Sequence, residues 1–218
     1  GALTAGVDRF AIAISGTGSH AARPHEGNDP IIIAGQVISA LQTLIARNVP
    51  SAHNAVISIT QVHSGSTWNV IPDSAWLEGT VRTFNQDTRE LIERRFRQVL
   101  AGIAAAFDTD ISLDWQPGPP SVVNTAKWVD FALARGEGSG FEARRVEASP
   151  IGEDFAFYQQ KLPGAFIMIG SGGPYALHHP QFRVDDRALF PTAHYLSQLA
   201  VQALQTLSAE ILSKEKKD

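Results

Sequence analysis

The order in which two hydrophobic periodicities alternate along residues 8–115 constrains this chain more than any other feature. From Asp8 to Ser15 the run Arg9-Phe10-Ala11-Ile12-Ala13-Ile14 is short, apolar and partly alternating, and it stops at Gly16-Thr17-Gly18, which predicts a strand closed by a turn. A polar loop follows to Gly27. Asn28 or Asp29 then offers an N-cap, Pro30 suits the first helical position, and Ile33, Val37, Ile38, Leu41, Leu44 and Ile45 recur at helical spacing over about five turns. Residues 54–62 and 74–84 alternate in β-rich composition on either side of the loop signal Ser64-Gly65-Ser66. A second helix is predicted from Asp87 to Phe107, with Leu91, Ile92, Phe96, Val99, Leu100 and Ile103 on one face, and Thr109 to Trp115 reads as a last strand. The order β-α-β-β-α-β is the split βαβ, or ferredoxin-like, arrangement, in which two helices cover one face of an antiparallel sheet. Pro117-Gly118-Pro119-Pro120 follows at once and predicts a domain boundary, with one domain over 6–116 and a second over 117–218.

The second part is less self-sufficient. The patterns predict a helix from Thr125 to Ala134, a short strand from Arg144 to Glu147, a helix from Glu153 to Leu162 and a strand from Ala165 to Gly170. An irregular loop follows to Phe190, then a long helix from Pro191 to Leu212. This α-β-α-β-α order is that of the end of a doubly wound α/β domain, and two strands cannot cover both helix layers. The sole methionine is Met168 and the chain opens Gly1-Ala2-Leu3. The expectation is that the rest of the sheet lies upstream of this chain.

Composition removes several classes of function. The formal net charge is −4, from 18 Lys and Arg against 22 Asp and Glu, with the basic residues mostly scattered, so there is no electrostatic footprint for nucleic acid. Absence of cysteine excludes disulfides, thiolate catalysis and Cys-ligated metal within the chain. No run approaches 18 apolar residues and no signal-peptide pattern opens the chain, so neither a membrane partner nor export is expected and a cytoplasmic location is. The one charge run, Lys214-Glu215-Lys216-Lys217-Asp218, reads as a solvated terminus.

Four clusters carry side chains suited to chemistry. In Gly18-Ser19-His20-Ala21-Ala22-Arg23-Pro24-His25 a histidine with small neighbours follows a strand end, and an imidazole there can donate to an oxyanion or shuttle a proton; spacing alone favours a turn histidine bonded to local backbone. In Trp68-Asn69-Val70-Ile71-Pro72-Asp73, with Arg82 thirteen positions beyond Asn69, an amide and a guanidinium converging from neighbouring strands would clamp a carboxylate; sequence alone favours an edge turn held by Asn69 and a surface arginine. Gly152-Glu153-Asp154-Phe155 places two acids at a helix start, where capping accounts for them. Leu177-His178-His179-Pro180, followed by Asp185-Asp186, offers imidazoles for zinc or manganese, yet a metal needs three or four ligands and no second cluster has matching spacing.

Taken together and in order, these strings resemble the M20 metallopeptidases, particularly the amidohydrolase branch of hippurate hydrolases, N-acyl-amino-acid hydrolases and auxin-conjugate hydrolases. Asn28-Asp29-Pro30, Gly79-Thr80-Val81-Arg82-Thr83 and Pro163-Gly164-Ala165-Phe166 extend the resemblance over nearly the whole chain. It implies an α/β (α+β) fold: a ferredoxin-like lid and dimerisation domain inserted into an α/β catalytic domain of which 117–218 is the C-terminal portion. It implies that His20 reaches from the lid into an active site, often the partner subunit's, to stabilise a tetrahedral intermediate. Asn69 and Arg82 match residues holding the substrate carboxylate, commonly across a homodimer. His178 matches the last metal ligand, with His179 the lesser candidate beside it. The family reaction is attack of water, activated by two divalent ions (zinc, or manganese, cobalt or nickel), on the amide of an N-acyl amino acid. Ser19 and Ile151 stand where this branch often has glycine, and Phe190-Pro191-Thr192 departs from its usual small residues, which bears on substrate preference. A reading of a different class is a non-catalytic dimerising or ligand-binding module.

In the resembled family the proton-accepting glutamate and the other metal ligands precede the lid. The 218-residue chain alone is therefore expected neither to bind a dinuclear centre tightly nor to hydrolyse amides. Metal-dependent turnover of an N-acyl amino acid by the purified chain would contradict this.

Overall fold

The alternation in the first segment becomes a ten-residue strand because each face of it meets a different medium. The computed structural model describes residues 1–215, so Lys216–Asp218 of the predicted solvated tail lie outside the described residues. Strand β1 (Gly6–Ser15) buries Asp8, Phe10, Ile12 and Ile14 and turns Val7, Arg9, Ala11 and Ala13 to the other face. The remaining elements of this part are β2 (Ser19–His20), α1 (Pro30–Asn48), β3 (Ala55–Ser64), β4 (Val70–Ile71), β5 (Ser74–Thr83), α2 (Gln86–Ala106) and β6 (Ile111–Pro117). The four long strands form one antiparallel sheet in the order β3-β5-β1-β6, and β2 and β4 pair separately. This is the predicted ferredoxin-like order, with α1 and α2 on one face.

The core lies between those helices and the sheet. Ile33, Val37, Leu41 and Leu44 of α1 and Ile92, Phe96 and Leu100 of α2 close over Phe10, Ile12, Ile14, Ile57, Leu77 and Val81. By composition α1 is long and apolar enough to cross a membrane, but its apolar stripe is spent on this core. Phe10 packs on Phe96 at 4.8 Å between ring centroids, and Trp115 meets Phe96 edge-on at 5.3 Å. Gly79 sits opposite Phe10 in the ladder, where a Cβ would stand 2.5 Å from the Phe10 ring and 2.1 Å from the Ser58 carbonyl oxygen, so only glycine lets the ring lie there.

The caps follow the sequence signals closely. Asp29 accepts from the Ile31 N–H at 2.9 Å, with Pro30 at the first helical position. Asn85 accepts from Thr88 N–H at 3.0 Å, which starts α2 one residue earlier than predicted. Asn28 Nδ2 donates to the carbonyls of Phe107 and Asp108, tying the start of α1 to the end of α2.

The Pro/Gly cluster does not part the chain. Gly118 N–H donates to Val7 O at 2.8 Å and Val7 N–H to Pro119 O at 2.9 Å, while Leu3 N–H donates to Val122 O. Proline lacks a donor, but its carbonyl still accepts, so 118–122 runs alongside residues 3–7. The chain divides into two compact units, Gly1–Val123 with Glu147–Leu162, and Asn124–Val146 with Pro163–Asp218. The division thus falls beyond the predicted residue 117, and the segment 147–162 returns to the first unit through Ser149, which exchanges hydrogen bonds with Leu3 and Ala5.

The second unit contains α3 (Ala126–Gly138) and α5 (Leu189–Glu215); α4 (Phe155–Gln159) belongs to the first. Tyr195 on α5 donates its hydroxyl to Ala132 O at 2.9 Å, and burial pushes that phenol above its ordinary pKa. Two predicted strands are corrected. Neither Arg144–Glu147 nor Ala165–Gly170 is a strand, because among the described residues no neighbouring strand offers either one a ladder. The second is instead held extended at its start by Asn124, whose amide receives Phe166 N–H and donates to Phe166 O. The predicted helix 153–162 shortens to α4.

One charged pair binds these parts of the first unit. Asp8, 1% exposed, accepts from Arg89 Nε at 2.9 Å and Nη2 at 2.6 Å, and Arg89 Nη2 also reaches Gly118 O at 2.9 Å. Asp8→Ala leaves the mostly buried guanidinium uncompensated and is expected to cost about 3–5 kcal/mol. Arg97→Ala, which breaks only the exposed pair with Glu93, is expected to cost no more than about 0.5 kcal/mol. Urea unfolding of both variants checks this, and equal small losses would contradict it.

Candidate functional site

Past the sheet, the β1 and β5 chains continue outward together. Gly16 N–H donates to Asp73 O, and the short β2–β4 ladder then pairs Ser19 with Ile71 and His20 with Val70. His20 and Val70, directly opposite, share one face of that ladder. Ala21 N–H donates to Asn69 O at 3.1 Å and Arg23 N–H to His20 O at 2.7 Å, so the small residues after His20 fold into a tight turn. Ser19 packs against Gly27, and its buried hydroxyl has no partner among the described residues.

The turn also sets the histidine's chemistry. Ala22 N–H donates to His20 Nδ1 at 3.0 Å, which requires that nitrogen to be unprotonated. The neutral ring therefore carries its proton on Nε2, and the side chain is exposed. It is a turn histidine bonded to local backbone, and the same bond aims a single N–H donor outward. Asn69 is half-buried, and Thr67 Oγ1 donates to its Oδ1 at 3.4 Å, which leaves the Nδ2 hydrogens as the available donors.

Arg82 does not converge with Asn69. It lies on β5 opposite Val7 and Val56, on the face that carries no helix. It lies eight residue steps along β5 from Ser74, about 27 Å at roughly 3.4 Å per step, and Asn69 lies beyond the Ser74 end. The thirteen-residue spacing hides this because a long strand consumes most of it in one direction. Among the described residues the Arg82 side chain makes no hydrogen bond or ion pair.

At that opposite end Arg82 meets Gly152. A Cβ on Gly152 would stand 2.3 Å from Val7 Cγ2, so the missing side chain makes room for Val7, while Arg82 Nη1 at 3.6 Å is at ordinary contact distance. The adjacent acids do not cap α4 through their side chains: Asp154, its N-cap, makes no side-chain cap bond, and Ala156 N–H instead reaches the Glu153 carbonyl. Sequence reasoning explained Gly152-Glu153-Asp154 by capping and missed the close packing of Gly152 on Val7, beside Arg82. The glycine directly before two acids was the available signal.

His178 and His179 part company in the second unit. His179 Nδ1 accepts from Gln181 N–H at 3.1 Å and its ring stacks on Tyr175 at 4.2 Å. His178 has an exposed ring with no partner among the described residues and a φ of +68°, a left-handed conformation that costs a non-glycine residue about 1–2 kcal/mol. Its loop is closed at the base by Asp185 N–H to Ser171 O at 2.7 Å. Asp185 is not free for a metal: bonds from the Arg187 side chain, then from its backbone N–H, hold the carboxyl down to about 2. Among the described residues no three His, Asp or Glu side chains come together as a cation site. A single imidazole is not a metal site, so the residues present do not by themselves fit a dinuclear centre.

Comparison with known proteins gives a consistent result. Residues 4–108 match the M20 peptidase dimerisation domain family. Over 95% of its length the chain is 45% identical to an N-acetylcysteine deacetylase of Bacillus subtilis, and over 87% it is 36% identical to an N-acetyldiaminopimelate deacetylase of Streptococcus gordonii. It covers 54% and 51% of those proteins, so it spans about half the length of the curated relatives it matches. Among solved structures it is 42% identical to the YXEP protein of Bacillus subtilis, described as a dinuclear metal binding peptidase of the M20 family. The TM-score there is 0.77, over 94% of this chain and 52% of that one. The relatives' names carry deacetylation of N-acetyl amino acids rather than hippurate hydrolysis, one member of the branch that the sequence resembles.

Proposed function

The chain belongs to the M20 peptidase family, and on that footing we propose that it forms the lid and part of the catalytic domain of an amidohydrolase. The substrate class is N-acyl amino acids, with the acetyl group of the relatives' substrates as the first acyl group to test. The carrying observation is the His20 turn: a backbone N–H fixes Nδ1 as acceptor and leaves Nε2–H facing outward. A donor held this way needs no reorganisation as negative charge develops on an amide oxygen.

Asn69 and Arg82 are the proposed carboxylate holders. The Asn69 amide presents its Nδ2 hydrogens, and the guanidinium fork suits a planar carboxylate. An N-acyl amino acid is far shorter than the roughly 27 Å of β5 between the two ends. One substrate therefore meets His20 and Asn69 of one protomer and Arg82 of its partner, in a homodimer joined through the lid. His178, strained and unpartnered, is the one metal ligand proposed from this chain. The others belong to the portion of the relatives' length that the chain does not span.

In the catalytically competent protein, His20→Ala is expected to lower kcat about 100- to 1,000-fold with little change in KM, as for loss of one oxyanion donor. Arg82→Ala is expected to act chiefly on KM, as for a group that binds the ground state and the transition state alike. Steady-state kinetics on an N-acetyl amino acid checks both, and an unchanged kcat for His20→Ala would overturn the assignment.

A further inference from the structure

The loop that presents Asn69 also carries the most exposed large apolar side chain among the described residues. Trp68 is 91% exposed, and Val70, on the other side of Asn69, is 50% exposed. Val70 shares a ladder face with His20 through the β2–β4 register, and Trp68 lies two residues before it, at most about 7 Å of extended backbone. The backbone beneath them is anchored. Ala21 N–H holds Asn69 O, Thr67 holds the Asn69 side chain, and at the loop's far end Ser64 Oγ donates to Ser74 O at 2.7 Å. An indole left in water on a fixed backbone is a preorganised apolar surface.

We propose that Trp68 and Val70 form the wall that reads the substrate's amino-acid side chain, and that the enzyme prefers N-acyl derivatives of apolar amino acids to those with a charged side chain. The proposal rests on the carboxylate role given above to Asn69. In an N-acyl amino acid the carboxylate and the side chain leave the same carbon. A carboxylate at Asn69 therefore brings the side chain to the residues flanking Asn69, which are Trp68 and Val70. Residues 64–72 contain no charged side chain. On the facing turn Arg23 and Glu26 pair with each other at 3.3 Å. A side chain bearing an ammonium and a carboxylate, as in diaminopimelate, would lose water against the indole with no counter-charge supplied, whereas an aliphatic or aromatic one loses nothing polar.

The test compares kcat/KM of the catalytically competent protein on N-acetyl-L-leucine and on N-acetyl-diaminopimelate, for the wild type, Trp68→Ala and Trp68→Phe. The wild type is expected to favour the leucine derivative. Trp68→Ala is expected to lose about tenfold or more on it, through KM, while changing less than about threefold on the charged substrate, and Trp68→Phe is expected to keep most of the preference. Oxidative labelling of Trp68 supplies a second reading: the side chain should be reactive in the free protein and protected by N-acetyl-L-leucine. Equal losses on both substrates, a wild type that favours the charged one, or protection without ligand, which would mean that another protein surface covers the indole, overturn the proposal. Hydrolysis of neither substrate by the wild type overturns the amidohydrolase reading itself, and this one with it; hydrolysis without side-chain discrimination overturns this one alone.

Discussion

The antiparallel ladder between β1 and β5 is the constraint on which everything else depends. It pairs ten residues without a break, from Gly6 with Thr83 to Ser15 with Ser74. Every second residue of it meets the helices, so a one-residue slip would put Phe10, Ile12 and Ile14 into water and Arg9 into the core. The same rigidity makes the ladder a ruler. It fixes Arg82 at one end and, through the outward continuation into β2 and β4, His20 and Asn69 beyond the other.

A site whose parts stand so far apart on one rigid element cannot be assembled by flexing that element. It has to be assembled by bringing a second ladder to the first. On the roles proposed for His20, Asn69 and Arg82, dimerisation would be a condition for chemistry rather than an addition to it, and residues 4–108 match a peptidase dimerisation domain family. The Asp8–Arg89 pair serves the ruler's far end. It locks the start of α2 and the Gly118 turn onto β1 one register position from Arg82 and its Gly152 neighbour. Tight anchoring there and a tight histidine turn at the opposite end have the same physical purpose, since a group that binds or stabilises charge must be held before the charge arrives.

Much of the lid was legible in the sequence because its signals are local. Asp29-Pro30 announces α1, and the alternation of β1 and β5 follows from burying one face of a strand. What failed was non-local. Ala165–Gly170 has the apolar composition of a strand, but a strand exists only beside a partner, and composition says nothing of partners. The bulge in β3 between Ile59 and Gln61 leaves no mark in the pattern, and Pro117-Gly118-Pro119-Pro120 reads as a break until its carbonyl and amide find Val7. At the site, the residue types at His20, Asn69, Arg82 and His178 were visible, whereas their arrangement was not. The thirteen-position spacing of Asn69 and Arg82 suggested nearness, and β5 turned that spacing into distance. The exposure of Trp68 was likewise invisible, since an edge turn says nothing of whether the indole on it folds back onto the sheet.

The central claim is that one active site draws His20 and Asn69 from one protomer and Arg82 from the other. The most direct measurement mixes His20→Ala and Arg82→Ala variants of the competent protein under conditions where subunits exchange, at a substrate concentration far below the KM of Arg82→Ala, where each variant alone is nearly inactive. In a mixed dimer one site then collects both substitutions and the other collects neither. The account predicts recovery of about a quarter of wild-type activity at equal mixing, from half of the dimers carrying one intact site of two. If both groups served the same protomer's site, every site in the mixture would carry one substitution. Activity staying at the level of the separate variants would contradict the account.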